Sequence, residues 1–164
     1  MSNDPRTGAV EARLAELGLE LPPVAAPVAA YVPAVVAGTW VWTSGQLPFV
    51  DGALPATGKV SASGAPGTVS PEQAQELAGR AALNAVAALH EAVGDLDRVR
   101  RIVKVVGFVA SEPSFTGQPG VVNGASELLG RIFGDAGVHA RSAVGVAVLP
   151  LDAPVEVELV AELA

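Results

Sequence analysis

The chain has 164 residues, half of them hydrophobic but only 4% aromatic, and carries a formal net charge of −7. That length fits one domain with a core of Val, Ala and Leu, and an acidic chain lacks the basic footprint of a nucleic-acid binder. The absence of cysteine excludes disulfides, thiolate metal sites and cysteine nucleophiles. The two histidines, His90 and His139, have no metal-ligand spacing around them, so no structural zinc site is expected; no cofactor is expected either.

Residues 4–17 read as a short helix of good helix formers closed by Gly18. Pro22, Pro23 and Pro27 then force an extended connection. Residues 31–44 read as a hairpin: Val32 to Ala37, a turn at Gly38-Thr39, then Trp40 to Ser44. Trp40 and Trp42 alternate with Val41 and are expected to share one side as packing or interface anchors. Residues 48–69, rich in Gly, Pro, Ser and Ala, read as a long loop with strand fragments around Phe49-Val50 and Lys59-Val60.

Ser70-Pro71-Glu72-Gln73 is a helix start, with Ser70 as cap and Pro71 at the first helical position, and the helix runs to about Val93 before Gly94. Its face is largely alanine, which lets a helix lie close to a sheet. Residues 99–110 read as a long strand, 111–120 as a loop and 121–133 as a second long helix. Residues 141–149 and 155–163 are two further strands. The order predicts an α+β fold: a mixed sheet with two helices packed on one face. Residues 1–26 are read as an N-terminal helical extension and linker, and residues 27–164 as the domain itself. No basic region followed by an apolar run opens the chain, and no apolar stretch reaches the ~18 residues of a membrane span. A cytoplasmic location without membrane contact is therefore expected.

Several motifs carry a resemblance. Thr43-Ser44-Gly45-Gln46-Leu47-Pro48 ends a strand, Tyr31 precedes it, and Asn123 lies near the start of the second long helix. Ala140-Arg141-Ser142-Ala143-Val144 leads to Leu149-Pro150 and then to Val155-Glu156-Val157-Glu158. In these features residues 27–164 resemble the RidA/YjgF proteins, the C-terminal block most specifically. The resemblance implies a chorismate-mutase-like fold, a homotrimer with clefts between subunits, and an enamine/imine deaminase. Such an enzyme hydrolyses 2-aminoacrylate-like intermediates to 2-keto acids and ammonia. It assigns the catalytic set to Arg141, Glu156, Tyr31 and Ser44, and substrate binding to Gly45, Asn123 and Ala143. The sequence departs from the short archetype in its N-terminal helix, in its extended loops and in Gly145 on the strand after Arg141.

The residue types fit those roles but leave alternatives. A guanidinium binds a carboxylate through two parallel hydrogen bonds, which lysine cannot reproduce. Arg141 is otherwise a surface arginine, or one paired to Glu156 or Glu158. Strand alternation puts Glu156 and Glu158 on one face and the valines on the other. Glu156 then either orients Arg141 or positions water, or simply lies on a solvated face. Tyr31 and Ser44 offer hydroxyls to a substrate or water, against the plainer roles of an interface aromatic and a turn serine. Gly45 allows close backbone approach, and Asn123 reads equally as a helix cap. His139 precedes the arginine block with no recognisable catalytic context. The functional alternative is a non-catalytic or regulatory protein binding a small carboxylate metabolite. An endoribonuclease is a third reading, opposed by the acidic chain and the lack of a basic stripe.

Overall fold

The computed structural model describes residues 8–24 and 30–164; the helix expectation at 4–7 and Pro27 lie outside them. Five strands and three helices follow in the order α1 (Ala9–Glu16), β1 (Ala34–Ala37), β2 (Trp40–Thr43), α2 (Pro71–Val93), β3 (Val99–Ala110), α3 (Gln118–Phe133), β4 (Ala140–Val146) and β5 (Val155–Leu163). The sheet order is β1-β2-β5-β3-β4. Only β3 and β4 pair in parallel, with α3 as the crossover, so the sheet is mixed as expected.

Local chemistry accounts for most boundaries. Ala37 pairs with Trp40, leaving Gly38 and Thr39 as a two-residue turn with Gly38 at φ 62°. Ser70 caps α2 by accepting from the Gln73 N–H, Pro71 opens the helix, and Gly94 ends it in the left-handed region. Helix α3 starts at Gln118, earlier than the expected 121, because Pro119 suits a first helical turn. Asn123 consequently sits inside the helix and is not its cap. Of the expected fragments in loop 48–69, Val50 and Val60 form only isolated bridges. Val60 is fully buried and pairs with both Val69 and Ser111, which pins the loop to the end of β3.

The core lies between one sheet face and helices α2 and α3. Val105, Val109, Val157 and Leu159 project from the sheet, and Leu89, Leu129 and Ile132 from the helices. Seven of the twelve buried residues of α2 are alanine, which brings the helix close to the strands. Helices α2 and α3 cross at Gly79 and Gly124, where a Cβ on Gly124 would collide with the Gln75 carbonyl. Among the described residues Phe133 is the one fully buried aromatic, while Trp40 and Trp42 form a tilted pair 6.3 Å apart on the uncovered sheet face. Helix α1 adds buried Val10 and Leu14 to the core. Its first amides are capped by the carboxylate of Asp97, which accepts from Ala9 N and Val10 N at 3.0 Å. No helix among the described residues is long and apolar enough to cross a membrane.

Candidate active site

Register decides where the predicted residues point. In β4, Arg141 pairs with Val105 and Ala143 with Gly107, so both face the helix side of the sheet. In β5, Glu156 pairs with Phe108 and Glu158 with Val106, on the opposite face. The alternating burial of β5 agrees, with Val155, Val157 and Leu159 buried and the glutamates half-buried. The predicted residues therefore form two separate groups, and Arg141 is not paired with Glu156 or Glu158 of its own chain.

The first group is built on the edge strand β4 and the first turns of α3. Asn123 and Ser126 stand three residues apart on one helix face. Arg141 Nη1 donates to Asn123 Oδ1 at 2.8 Å and to Ser126 Oγ at 3.3 Å, and Nη2 donates to the Pro119 carbonyl at 3.3 Å. A guanidinium has five N–H donors. Among the described residues three are thus engaged by neutral acceptors, and one on Nε and one on Nη2 are left. These two adjacent nitrogens form the fork that matches a carboxylate. No carboxylate among the described residues reaches this half-buried cation. Ala143, two residues along β4, lies on the same face with only a methyl group to obstruct a ligand.

The second group gathers at the end of β2. Gln46 bridges Val157, which lays the Ser44-Gly45 backbone beside β5. A Cβ on Gly45 would collide with the Glu156 carboxyl, so glycine is what admits the glutamate. Burial pushes the Glu156 carboxyl up from the ordinary glutamate value, and repulsion from Glu158 adds to it. Ser44 is tied to the chain before β1: its hydroxyl donates to the Val32 carbonyl at 2.6 Å and its N–H to Pro33 at 2.8 Å. Tyr31, next to Val32, is half exposed and carried by the same segment.

Two polar residues of the first group were not among the expected site residues. Ser126 contacts Arg141, and its Oγ lies 2.9 Å from His139 Nε2. The signals were present: i, i+3 spacing from Asn123 on a helix, and i, i+2 spacing from His139 to Arg141 in an extended segment. What the sequence lacked was the contact between those two elements.

Comparison with known proteins agrees with this architecture. Residues 11–163 match the model of the family described as YjgF/chorismate mutase-like, putative endoribonuclease. Protein TCP17 of Trypanosoma cruzi is 46% identical over 158 residues, 96% of each chain. The crystal structure of Atu1372 from Agrobacterium tumefaciens is 40% identical, covers 98% of this chain and 96% of its own, and superposes with a TM-score of 0.86. The E. coli TdcF structure with bound serine is more distant, at 25% identity, 86% and 94% coverage and a TM-score of 0.54.

Proposed function

The chain belongs to the YjgF/chorismate mutase-like family, and from that premise we propose that it is an enamine/imine deaminase acting on small 2-imino and 2-enamino acids. The observation that carries this reading is the prepared fork of Arg141: neutral acceptors fix the guanidinium, and its Nε and Nη2 donors remain for a carboxylate. Serine, the molecule held by E. coli TdcF, is a small 2-amino acid with such a carboxylate.

The reaction balances without a cofactor. 2-Aminoacrylate takes a proton at C3 and gives one up from nitrogen, which converts it to the 2-imino acid. Water adds to C2, ammonia leaves from the tetrahedral carbon with the proton it needs, and the C2 carbonyl of pyruvate forms. Arg141 holds the carboxylate, and the Glu156 carboxyl positions water or carries the proton, a task suited to a carboxyl that burial raises above the ordinary glutamate value.

In one chain Arg141 and Glu156 lie on opposite sheet faces. A site using both therefore takes one group from each of two copies, with the sheet face bearing Trp40, Trp42, Val144 and Val35 buried between them. We assign the assembly as a trimer. The net charge of −7 opposes a ribonuclease activity, because phosphate contacts need a basic surface.

The test is ammonia release from freshly generated 2-aminoacrylate, above the uncatalysed rate and saturable. Saturable binding of pyruvate or serine with no acceleration would replace the enzyme by a carboxylate-binding protein.

A further inference from the structure

His139 has no part in the mechanism above, yet it ends a chain of hydrogen bonds that begins at Arg141. We propose that Ser126 and His139 are positioning residues that fix the direction of the Arg141 fork; this rests on the reading that Arg141 takes a carboxylate.

The argument follows the polarity of each bond. His139 Nδ1 lies 2.6 Å from the Gly137 carbonyl, which can only accept, so Nδ1 carries the proton. In a neutral ring Nε2 is then a lone pair, and the Ser126 hydroxyl, 2.9 Å away, must donate to it. With its proton committed, Ser126 Oγ presents only lone pairs to Arg141 Nη1 at 3.3 Å, which can only donate. Carbonyl, imidazole, hydroxyl and guanidinium are thus read in one direction.

The far end of this chain is closely packed. Gly137 is buried, and a Cβ there would collide with the Leu129 carbonyl, so the turn after α3 packs directly against the helix that carries Ser126. A serine without the histidine would have a rotating hydroxyl, able to donate to an incoming carboxylate or to water and to turn its lone pairs from Nη1. Asn123 holds the other Nη1 hydrogen at 2.8 Å. Losing the relay therefore loosens the fork without removing it.

The experiment is calorimetric titration of pyruvate into the full-length protein and its variants, followed by steady-state kinetics on 2-aminoacrylate. Ser126→Ala and His139→Leu should each weaken pyruvate about 5- to 10-fold, the worth of one hydrogen bond. The double variant should be no worse than either single one, because links in series fail together. Ser126→Thr should bind like wild type, and His139→Gln, whose amide oxygen can accept, should recover most of the loss. KM should rise with kcat nearly unchanged, since the relay touches carboxylate binding and not the carbon that water attacks. Additive losses, or full affinity in Ser126→Ala when Arg141→Ala has lost binding, would overturn the relay alone. Full affinity in Arg141→Ala would overturn the site and the relay with it. Histidine ¹⁵N NMR of the neutral ring gives a readout without any variant: the tautomer with its proton on Nδ1 is expected, and the tautomer with its proton on Nε2 refutes the polarity.

Discussion

Arg141 on β4 and Glu156 on β5 are separated by one strand of the same sheet, but their surroundings are opposite in kind. Arg141 is embedded in neutral acceptors that spend three of its donors and leave two. Among the described residues no hydrogen bond reaches the Glu156 carboxyl, which is desolvated and repelled by Glu158. The arginine is held in place by hydrogen bonds from its Nη atoms to α3. Burial and the neighbouring Glu158 both raise the glutamate's carboxyl above its ordinary value. The two ends should therefore answer differently to substitution.

The largest effect should come from the arginine end. Losing one partner of a charge-assisted bidentate pair costs ~2–5 kcal/mol, so Arg141→Ala should lower kcat/KM for 2-aminoacrylate about 30-fold or more. Arg141→Lys, which lacks the planar fork, should be nearly as impaired. Steady-state turnover measures both, with circular dichroism as the control for folding. A folded Arg141→Ala protein at wild-type turnover would remove this residue from the site.

The next experiment asks whether the two ends work in one chain or across two. Arg141→Ala and Glu156→Gln chains, each strongly impaired alone, should reach about a quarter of wild-type activity per site when coexpressed in equal amounts, because a random interface then unites one intact end from each. Activity no higher than that of the two variants expressed singly would mean that the ends do not cooperate across an interface.

A third region belongs to neither end and serves as the control. Leu14 of α1 is 5% exposed, and truncating a buried leucine costs ~2–5 kcal/mol. Leu14→Ala should lower Tm by roughly 5–15 °C for a domain of this size. Turnover at 25 °C should be retained, and so should that of a protein lacking residues 1–18. Loss of activity in a folded variant would make α1 part of the site.

The smallest effect concerns pH at the glutamate end. A carboxyl raised in the folded state leaves the unfolded chain the stronger acid. Its contribution to stability is full below the ordinary glutamate range and is lost as pH rises through the raised value. Glu156→Gln should thus raise Tm near pH 7, by no more than about 3 °C for a half-exposed group, and change it less near pH 4. Calorimetric scans at the two pH values decide this; a variant less stable at pH 7 would show the carboxylate to be stabilised by its surroundings. Stability gained with activity lost is the pattern expected at a functional group.

Much of this was legible in the residues themselves. The hairpin turn, the Ser70 cap with Pro71, the left-handed stop at Gly94 and the 99–110 strand all rest on local rules, and each is present in the structure. The alternation of Val155 to Glu158 gave the correct pair of faces for β5. The start of α3 was misread because Gln118-Pro119-Gly120 has no apolar period, and with it Asn123 was left open as a cap. The amides of Ala9 and Val10 were likewise assigned no partner, since Asp97 lies 88 positions from Ala9 in the chain.

Composition and periodicity by themselves determined an α+β chain and its element order, and the motif resemblance singled out Arg141, Glu156, Tyr31, Ser44, Gly45, Asn123 and Ala143. Only the tertiary structure decided that Arg141 and Glu156 face opposite sides of one sheet, and that Ser126 and His139 stand behind the arginine. The reason is physical. Alternation fixes side-chain direction within a strand, but the register between β3, β4 and β5 is set by non-local hydrogen bonds and by which face the helices cover.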